Sequence, residues 1–159
     1  LDSNDGDLPM EDVNLYDIAS NCVNMLTLHA EENDVKFHLK GSGTHVKGSH
    51  SMIEELVYNL CDNAIRYNRE GGNIWVVVDP EDHSILVSDD GIGISEENQP
   101  RIFERFYRVD KSRSRKTGST GLVLAIVKHI AEQHGAKIEL TSAENVGTTI
   151  KVIFPDPDK

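Results

Sequence analysis

An α/β two-layer sandwich, a mixed sheet covered on one face by helices, is the fold class this sequence predicts. Three observations predict it. Apolar residues recur at helical spacing in three separate stretches. Short apolar runs bounded by Gly, Pro, Asn and Asp lie between and after those stretches. The two kinds follow one another along the chain instead of forming separate halves. A chain of 159 residues with 38% hydrophobic content suits one globular domain with a core of its own.

Taken in order, Leu1 to Pro9 is polar and reads as a linker or the frayed end of a preceding element. Asn14 is an N-cap, and Leu15, Ile18, Cys22 and Leu26 mark a helix running to about Glu32. Val35 to Leu39 alternates as a short strand, and Gly41-Ser42-Gly43 turns the chain. A second helix, from about Ser51 to Tyr67, carries Ile53, Leu56, Val57, Leu60 and Ala64 on one face and ends before Gly71-Gly72. Ile74 to Val78 and Ser84 to Ser88 read as paired strands joined through Pro80-Glu81-Asp82. A third helix spans about Thr120 to His134 and stops at Gly135. Lys137 to Thr141 and Thr148 to Phe154 close the fold as a hairpin around Asn145-Val146-Gly147.

The formal charge of −11 argues against a nucleic-acid-binding surface, which needs clustered Lys and Arg. One segment departs from that balance. Seven of the 16 basic residues (Arg101, Arg105, Arg108, Lys111, Arg113, Arg115 and Lys116) fall between positions 101 and 116. Such a segment suits a small polyanion, and it equally suits a solvated basic loop. No apolar run approaches the roughly 20 residues of a membrane helix, so no membrane contact is expected of this stretch. Because the chain starts Leu1-Asp2-Ser3, a longer protein with an anchor upstream is expected. Cys22 and Cys61 fall in helical patterns at no metal-ligand spacing and read as reduced structural thiols.

On the second helix, Glu55, Asn59, Asn63 and Tyr67 lie four apart and so form one stripe beside the apolar face. Asn is a poor helix former, yet its carbonyl oxygen is a hard ligand for Mg²⁺ and its NH₂ can donate to phosphate. A solvated polar face is the plainer reading of the stripe. Asp89-Asp90-Gly91-Ile92-Gly93-Ile94 then closes a strand pattern with two glycines that let backbone approach closely. An ordinary Asp-Gly turn would look the same. Phe103, Phe106 and Tyr107 interleave with Arg101, Arg105 and Arg108. That pattern reads as a short amphipathic helix that packs its aromatics into the core.

These stretches, with Thr117-Gly118-Ser119-Thr120-Gly121-Leu122 after them, resemble in order and spacing the ATP-binding catalytic domain of bacterial sensor histidine kinases, in the GHKL ATPase superfamily. The resemblance runs from about Val13 to Phe154. It implies the Bergerat fold with a long ATP lid, here about Ile94 to Thr120. It implies Mg²⁺ on Asn59, and Mg²⁺ or phosphate on Asn63. Arg66 would lend charge to the phosphates and Tyr67 would pack on the adenine. Asp89 would accept the adenine amino group, with Gly91 and Gly93 keeping the purine pocket open and Asp90 facing solvent. Ile94, Phe106, Thr120, Gly121 and Leu122 would complete the nucleotide site, and Arg108 or Arg113 would reach the terminal phosphate. Glu55 takes no catalytic role from it.

By the same resemblance, residues 1–12 are a linker or the end of a helical dimerisation domain, 13–155 the catalytic domain and 156–159 a tail. The implied partners are ATP or ADP, a histidine-bearing dimerisation domain of the same protein and a response regulator. The implied setting is the cytoplasmic part of a membrane-anchored bacterial receptor. His29, His38, His45, His50, His83, His129 and His134 all lack the sequence of the family's acceptor helix, so the acceptor is expected on another domain. Where the family has Gly-Gly-Thr-Gly-Leu-Gly-Leu, this chain has Gly118-Ser119-Thr120-Gly121-Leu122-Val123-Leu124. Ser119 and Val123 leave two alternatives open: a nucleotide-binding or protein-interaction module with impaired transfer, and a GHKL serine kinase or ATPase.

Overall fold

The computed structural model describes residues 10–94, 97, 99 and 122–158, without the side chains of Leu122 and Val123. Strand β1 (Glu11–Asn14) runs into helix α1 (Leu15–Glu32), followed by β2 (Lys36–Gly41), β3 (His45–Gly48) and helix α2 (His50–Arg66). Strands β4 (Asn73–Asp79) and β5 (Ser84–Asp89), helix α3 (Leu122–Gln133) and strands β6 (Lys137–Ala143) and β7 (Gly147–Ile153) complete the described chain. Five strands form one sheet in the order β2-β4-β5-β7-β6. Only β2 and β4 pair in parallel, so the sheet is mixed. The α/β sandwich expected from the sequence is the one observed.

Local chemistry sets the helix starts. Asn14 Oδ1 accepts from the N–H groups of Tyr16 (3.1 Å) and Asp17 (3.4 Å), satisfying donors that the first turn leaves open. Ser49 Oγ does the same for Met52 N–H at 3.4 Å. The Ser49 N–H is itself held by buried His134, whose Nε2 accepts it at 3.1 Å while Nδ1 donates to the Ile130 carbonyl at 2.8 Å. One neutral imidazole tautomer serves both bonds, so the end of α3 fixes the start of α2. Gly135 follows with φ +66°, the left-handed step that ends α3.

Alternation along the central strands sorts the two sheet faces. Ile74, Val76 and Val78 of β4, Ile85 and Val87 of β5, and Ile150 and Val152 of β7 are buried against the helices. They meet Ile18, Cys22 and Leu26 of α1, Ile53, Leu56, Leu60 and Ala64 of α2, and Val127 and Ile130 of α3 in one core. Each fully buried aliphatic side chain contributes about 1.5–3 kcal/mol. Among the described residues no helix covers the opposite face, where His38 stacks on Trp75 with ring centroids 5.6 Å apart. Cys22 and Cys61 are free buried thiols. Burial pushes Cys22 up to about 12 and Cys61 higher still, which makes both inert at neutral pH.

One element pair differs from the sequence expectation. Strands β1 and β3 form a separate antiparallel two-stranded sheet, with Val13 opposite Val46. Each strand has only four residues and one buried side chain, Val13 or Val46, plus Gly48. That is too little alternation to show as a periodic pattern.

Candidate functional site

Strand β5 delivers Asp89 to the end of the sheet, opposite Ile74 on β4 and Thr148 on β7. Its carboxylate accepts from Gly91 N–H at 2.9 Å and faces the Thr148 N–H as well. Desolvation outweighs both donors, helped by the neighbouring charge of Asp90, and pushes the Asp89 carboxyl up to about 6. A desolvated carboxylate with acceptor capacity to spare suits an amine donor on a ligand. Perturbed carboxyls of this kind concentrate at binding sites.

Asp90, expected to face solvent, is in addition tied to β4. It is half-buried, and its Oδ1 accepts from Asn73 N–H (2.7 Å) while Oδ2 accepts from Asn73 Nδ2 (3.1 Å). Burial opposes its ionisation, but the Asn73 hydrogen bonds and the charge of Arg69 together hold its carboxyl below the usual range. Adjacent residues leaving a strand point to opposite sides, so one aspartate caps β4 while the other faces the site.

The two glycines make room for protein backbone. A Cβ on Gly91 would overlap the Tyr67 carbonyl oxygen and lie 2.8 Å from Asn68 Cα. Gly93 has φ +71°, and a Cβ there would overlap the Ala143 carbonyl. The loop is thus wedged between the end of α2 and the β6–β7 turn. Ile92 N–H donates to the Tyr67 carbonyl (3.1 Å), Asn145 N–H to the Ile92 carbonyl (2.6 Å) and Ile94 N–H to Ser142 Oγ (2.8 Å). Gln99 Nε2 adds bonds to the carbonyls of Ile94 (2.9 Å) and Ser142 (3.0 Å). Arg69, Asn73, Ser142 and Asn145 therefore belong to this site's frame. Nothing in their local sequence signalled it, because their partners lie tens of positions away.

Helix α2 supplies the second wall. Asn59 and Asn63 are half-buried, one turn apart, and neither carboxamide is hydrogen-bonded to another described residue. Arg66 Nε donates to Asp62 Oδ2 at 2.9 Å, and Asp62 Oδ1 sits 3.6 Å from His29 Nε2 on α1. Tyr67 is the C-cap of α2, its N–H bonded to the Asn63 carbonyl. Glu55 is exposed. The structure therefore puts Asn59, Asn63, Arg66 and Tyr67 along the C-terminal half of α2 and its cap, and ties that cap to the Asp89 loop at Gly91 and Ile92. Phe106, Arg108, Arg113, Ser119, Thr120, Gly121 and the expected lid lie outside the described residues, as do the side chains of Leu122 and Val123.

The donor set fits Mg²⁺ better than a protein-enclosed metal. Among the described residues no group of three or more His, Cys, Asp or Glu could hold a metal ion. Mg²⁺ keeps several waters and takes few protein oxygens plus substrate phosphates, so two carboxamide oxygens with no partner among the described residues would fit it on the protein side. Among the described residues no helix is long and apolar enough to cross a membrane.

Comparison with known proteins identifies the family. Residues 48–158 match the family described as histidine kinase-, DNA gyrase B- and HSP90-like ATPase. The sensor-like histidine kinase SenX3 of Mycolicibacterium smegmatis is 36% identical over 155 residues, 94% of this chain and 40% of that protein. Sensor histidine kinase WalK of Bacillus subtilis is 38% identical over 79% of this chain and 21% of its own length. The chain thus spans less than half of either relative. Among solved structures, the mycobacterial sensor histidine kinase MprB superposes with a TM-score of 0.79 at 26% identity, covering 91% of this chain and 96% of that one. The catalytic domain of histidine kinase ThkA shares the fold, with a TM-score of 0.77 at 24% identity over 92% of this chain and 97% of its own. The matched family model covers more than half of the sequence and all of the site's described walls, and this chain belongs to the histidine kinase-, DNA gyrase B- and HSP90-like ATPase family.

Proposed function

We propose that the chain binds Mg·ATP between α2 and the Asp89 loop and donates the γ-phosphoryl group to a histidine on a separate dimerisation domain, in two-component signal transduction. The observation that carries this reading is the desolvated Asp89 carboxylate, held open beside a helix with two carboxamides that have no partner among the described residues. Asp89 accepts the exocyclic amine of adenine, a position where guanine presents a carbonyl. Tyr67 packs on the purine. Asn59 and Asn63 hold the magnesium ion, which when bound offsets charge on the phosphates. Arg66, already oriented by Asp62, adds positive charge nearby. Arg108 and Arg113 in the basic segment neutralise the terminal phosphate, and Phe106, Thr120, Gly121 and Leu122 shape the lid side of the pocket.

In the transfer, the bond between the γ-phosphorus and the β–γ bridging oxygen breaks and a phosphorus–nitrogen bond to the acceptor imidazole forms, releasing ADP. The protein's part is positioning and charge stabilisation. On this reading residues 1–12 are a linker or the end of a preceding dimerisation domain, 13–155 the catalytic domain and 156–159 a tail, with Glu11 and Asp12 already paired to β3. The acceptor domain, a response regulator and a membrane-anchored receptor form the cellular setting that similarity to sensor kinases supports.

Incubating this chain with labelled Mg·ATP and a histidine-bearing dimerisation domain supplied in trans tests the reading. Acid-labile phosphate is expected on the added domain and none on the seven histidines of this chain. Phosphate on its own histidines, phosphoserine, or free phosphate alone would contradict it. Ser119 and Val123, where the family has glycine, favour a second reading of impaired transfer. On that reading Ser119→Gly with Val123→Gly raises the transfer rate, whereas an unchanged rate contradicts it.

A further inference from the structure

Arg69 stands in the turn between α2 and β4 and reaches two chain segments at once. Its Nη2 donates to the Gly91 carbonyl at 2.7 Å and to the Asn145 carbonyl at 3.1 Å. The first acceptor lies two residues beyond Asp89. The second lies at the tip of the β6–β7 hairpin, at a residue whose own φ of +64° is left-handed. The base of the arginine is fixed too. Its N–H donates to Asn68 Oδ1 at 2.8 Å, and Asn68, only 4% exposed, donates through Nδ2 to the Asn73 carbonyl at 3.1 Å.

We infer that Arg69 is a positioning residue for adenine recognition, stapling the Asp89 loop to the β6–β7 turn and thereby setting the aim of the Asp89 carboxylate. The inference rests on reading Asp89 as the adenine acceptor. The physical chain is short. Gly91 N–H orients the Asp89 carboxylate, and the Gly91 carbonyl is what Arg69 grips. The same Asn145 that offers its carbonyl to Arg69 donates its N–H to Ile92. A guanidinium suits the task because it is permanently charged and carries several donors with no acceptor. A carbonyl pair bridged by a cation is held more firmly than one bridged by a neutral amide. Among the described residues the staple does not touch α2's carboxamides, so its loss should act on the purine and spare the phosphate end that they serve.

Arg69→Ala, Arg69→Gln and Arg69→Lys in the whole chain test this. Titrations with adenosine, guanosine and magnesium tripolyphosphate separate the two ends of the site, and amide exchange reads the loop. Arg69→Ala is expected to weaken adenosine about tenfold, the effect of losing one charge-assisted bond, while tripolyphosphate binding changes less than about twofold. Exchange at the Gly91 and Asn145 amides should quicken without a change in the central strands. Arg69→Lys, whose ammonium can still donate to both carbonyls, should recover most of the loss, and Arg69→Gln should fall between. Adenosine affinity unchanged in Arg69→Ala, or adenosine and tripolyphosphate falling together, would overturn the inference. If the alanine variant does not fold, Arg69→Gln carries the comparison under the same criteria. A parent chain that binds adenosine no better than guanosine would refute the Asp89 reading itself, and that result appears before any Arg69 variant is made.

Discussion

Asp89→Ala is expected to weaken ADP by roughly 10- to 150-fold, the range spanned by truncating a hydrogen bond to a charged acceptor, and to erase the preference for ATP over GTP. On the proposed reading this carboxylate, an acceptor with no proton to give when ionised, discriminates an exocyclic amine from a carbonyl. Its protonation gives the claim a second face. Burial raises the folded-state value to about 6 from 3.8, so in the window between those values the folded chain holds a proton that the unfolded chain has released. The stability of the ligand-free fold therefore falls as pH rises through that window, and levels off above it. Asp89→Asn lacks this slope, and thermal unfolding at pH 4, 5, 6 and 7 compares the two. Ligand binding runs the other way. The ionised carboxylate is the better acceptor, so ADP should bind more tightly as pH rises through about 6. A flat binding profile from pH 5 to 8 would contradict this role.

Replacing Asn59 and Asn63 together by Ala is the other large effect expected. Affinity for ATP in Mg²⁺ should fall by about 10- to 100-fold, toward the value measured with EDTA, because the protein-side oxygens for the ion are gone. Adenosine affinity should hold, since on the proposed reading both carboxamides serve the magnesium and phosphate end. Stability should hold or rise, because Ala is the better helix former and no hydrogen bond to a described residue is lost. Adenosine and ATP weakening by the same factor would show that the pair shapes the helix and not the metal.

Helix ends were the most legible part of this fold. Asn14 as N-cap, a helix to Glu32 and a stop at Gly135 are all read directly from residue types, because caps act within one turn of the residue that makes them. The strands of the main sheet were readable from alternation, as Ile74, Val76 and Val78 show. Strands β1 and β3 were not, since four residues give alternation too few beats. At the site, Asp89 and the Asn59–Asn63 stripe announce themselves by unusual residue types at informative spacing. The frame around them does not. Asp90 looks like a solvent-facing partner of Asp89 until Asn73 is found opposite it, and Arg69 looks like any turn residue until the fold brings Gly91 and Asn145 within its reach. The glycines were legible as necessary, but the neighbours that require them, Tyr67 and Ala143, are set by tertiary structure.

Calorimetric titration of the unaltered chain with ATP and with GTP, each with Mg²⁺ and with EDTA, measures the adenine and metal ends of the site together. ATP should bind, more tightly with Mg²⁺ than with EDTA, and GTP should bind distinctly more weakly under both conditions. A folded chain that shows no heat at millimolar ATP, or that binds ATP and GTP alike, would contradict nucleotide recognition by Asp89, Asn59 and Asn63.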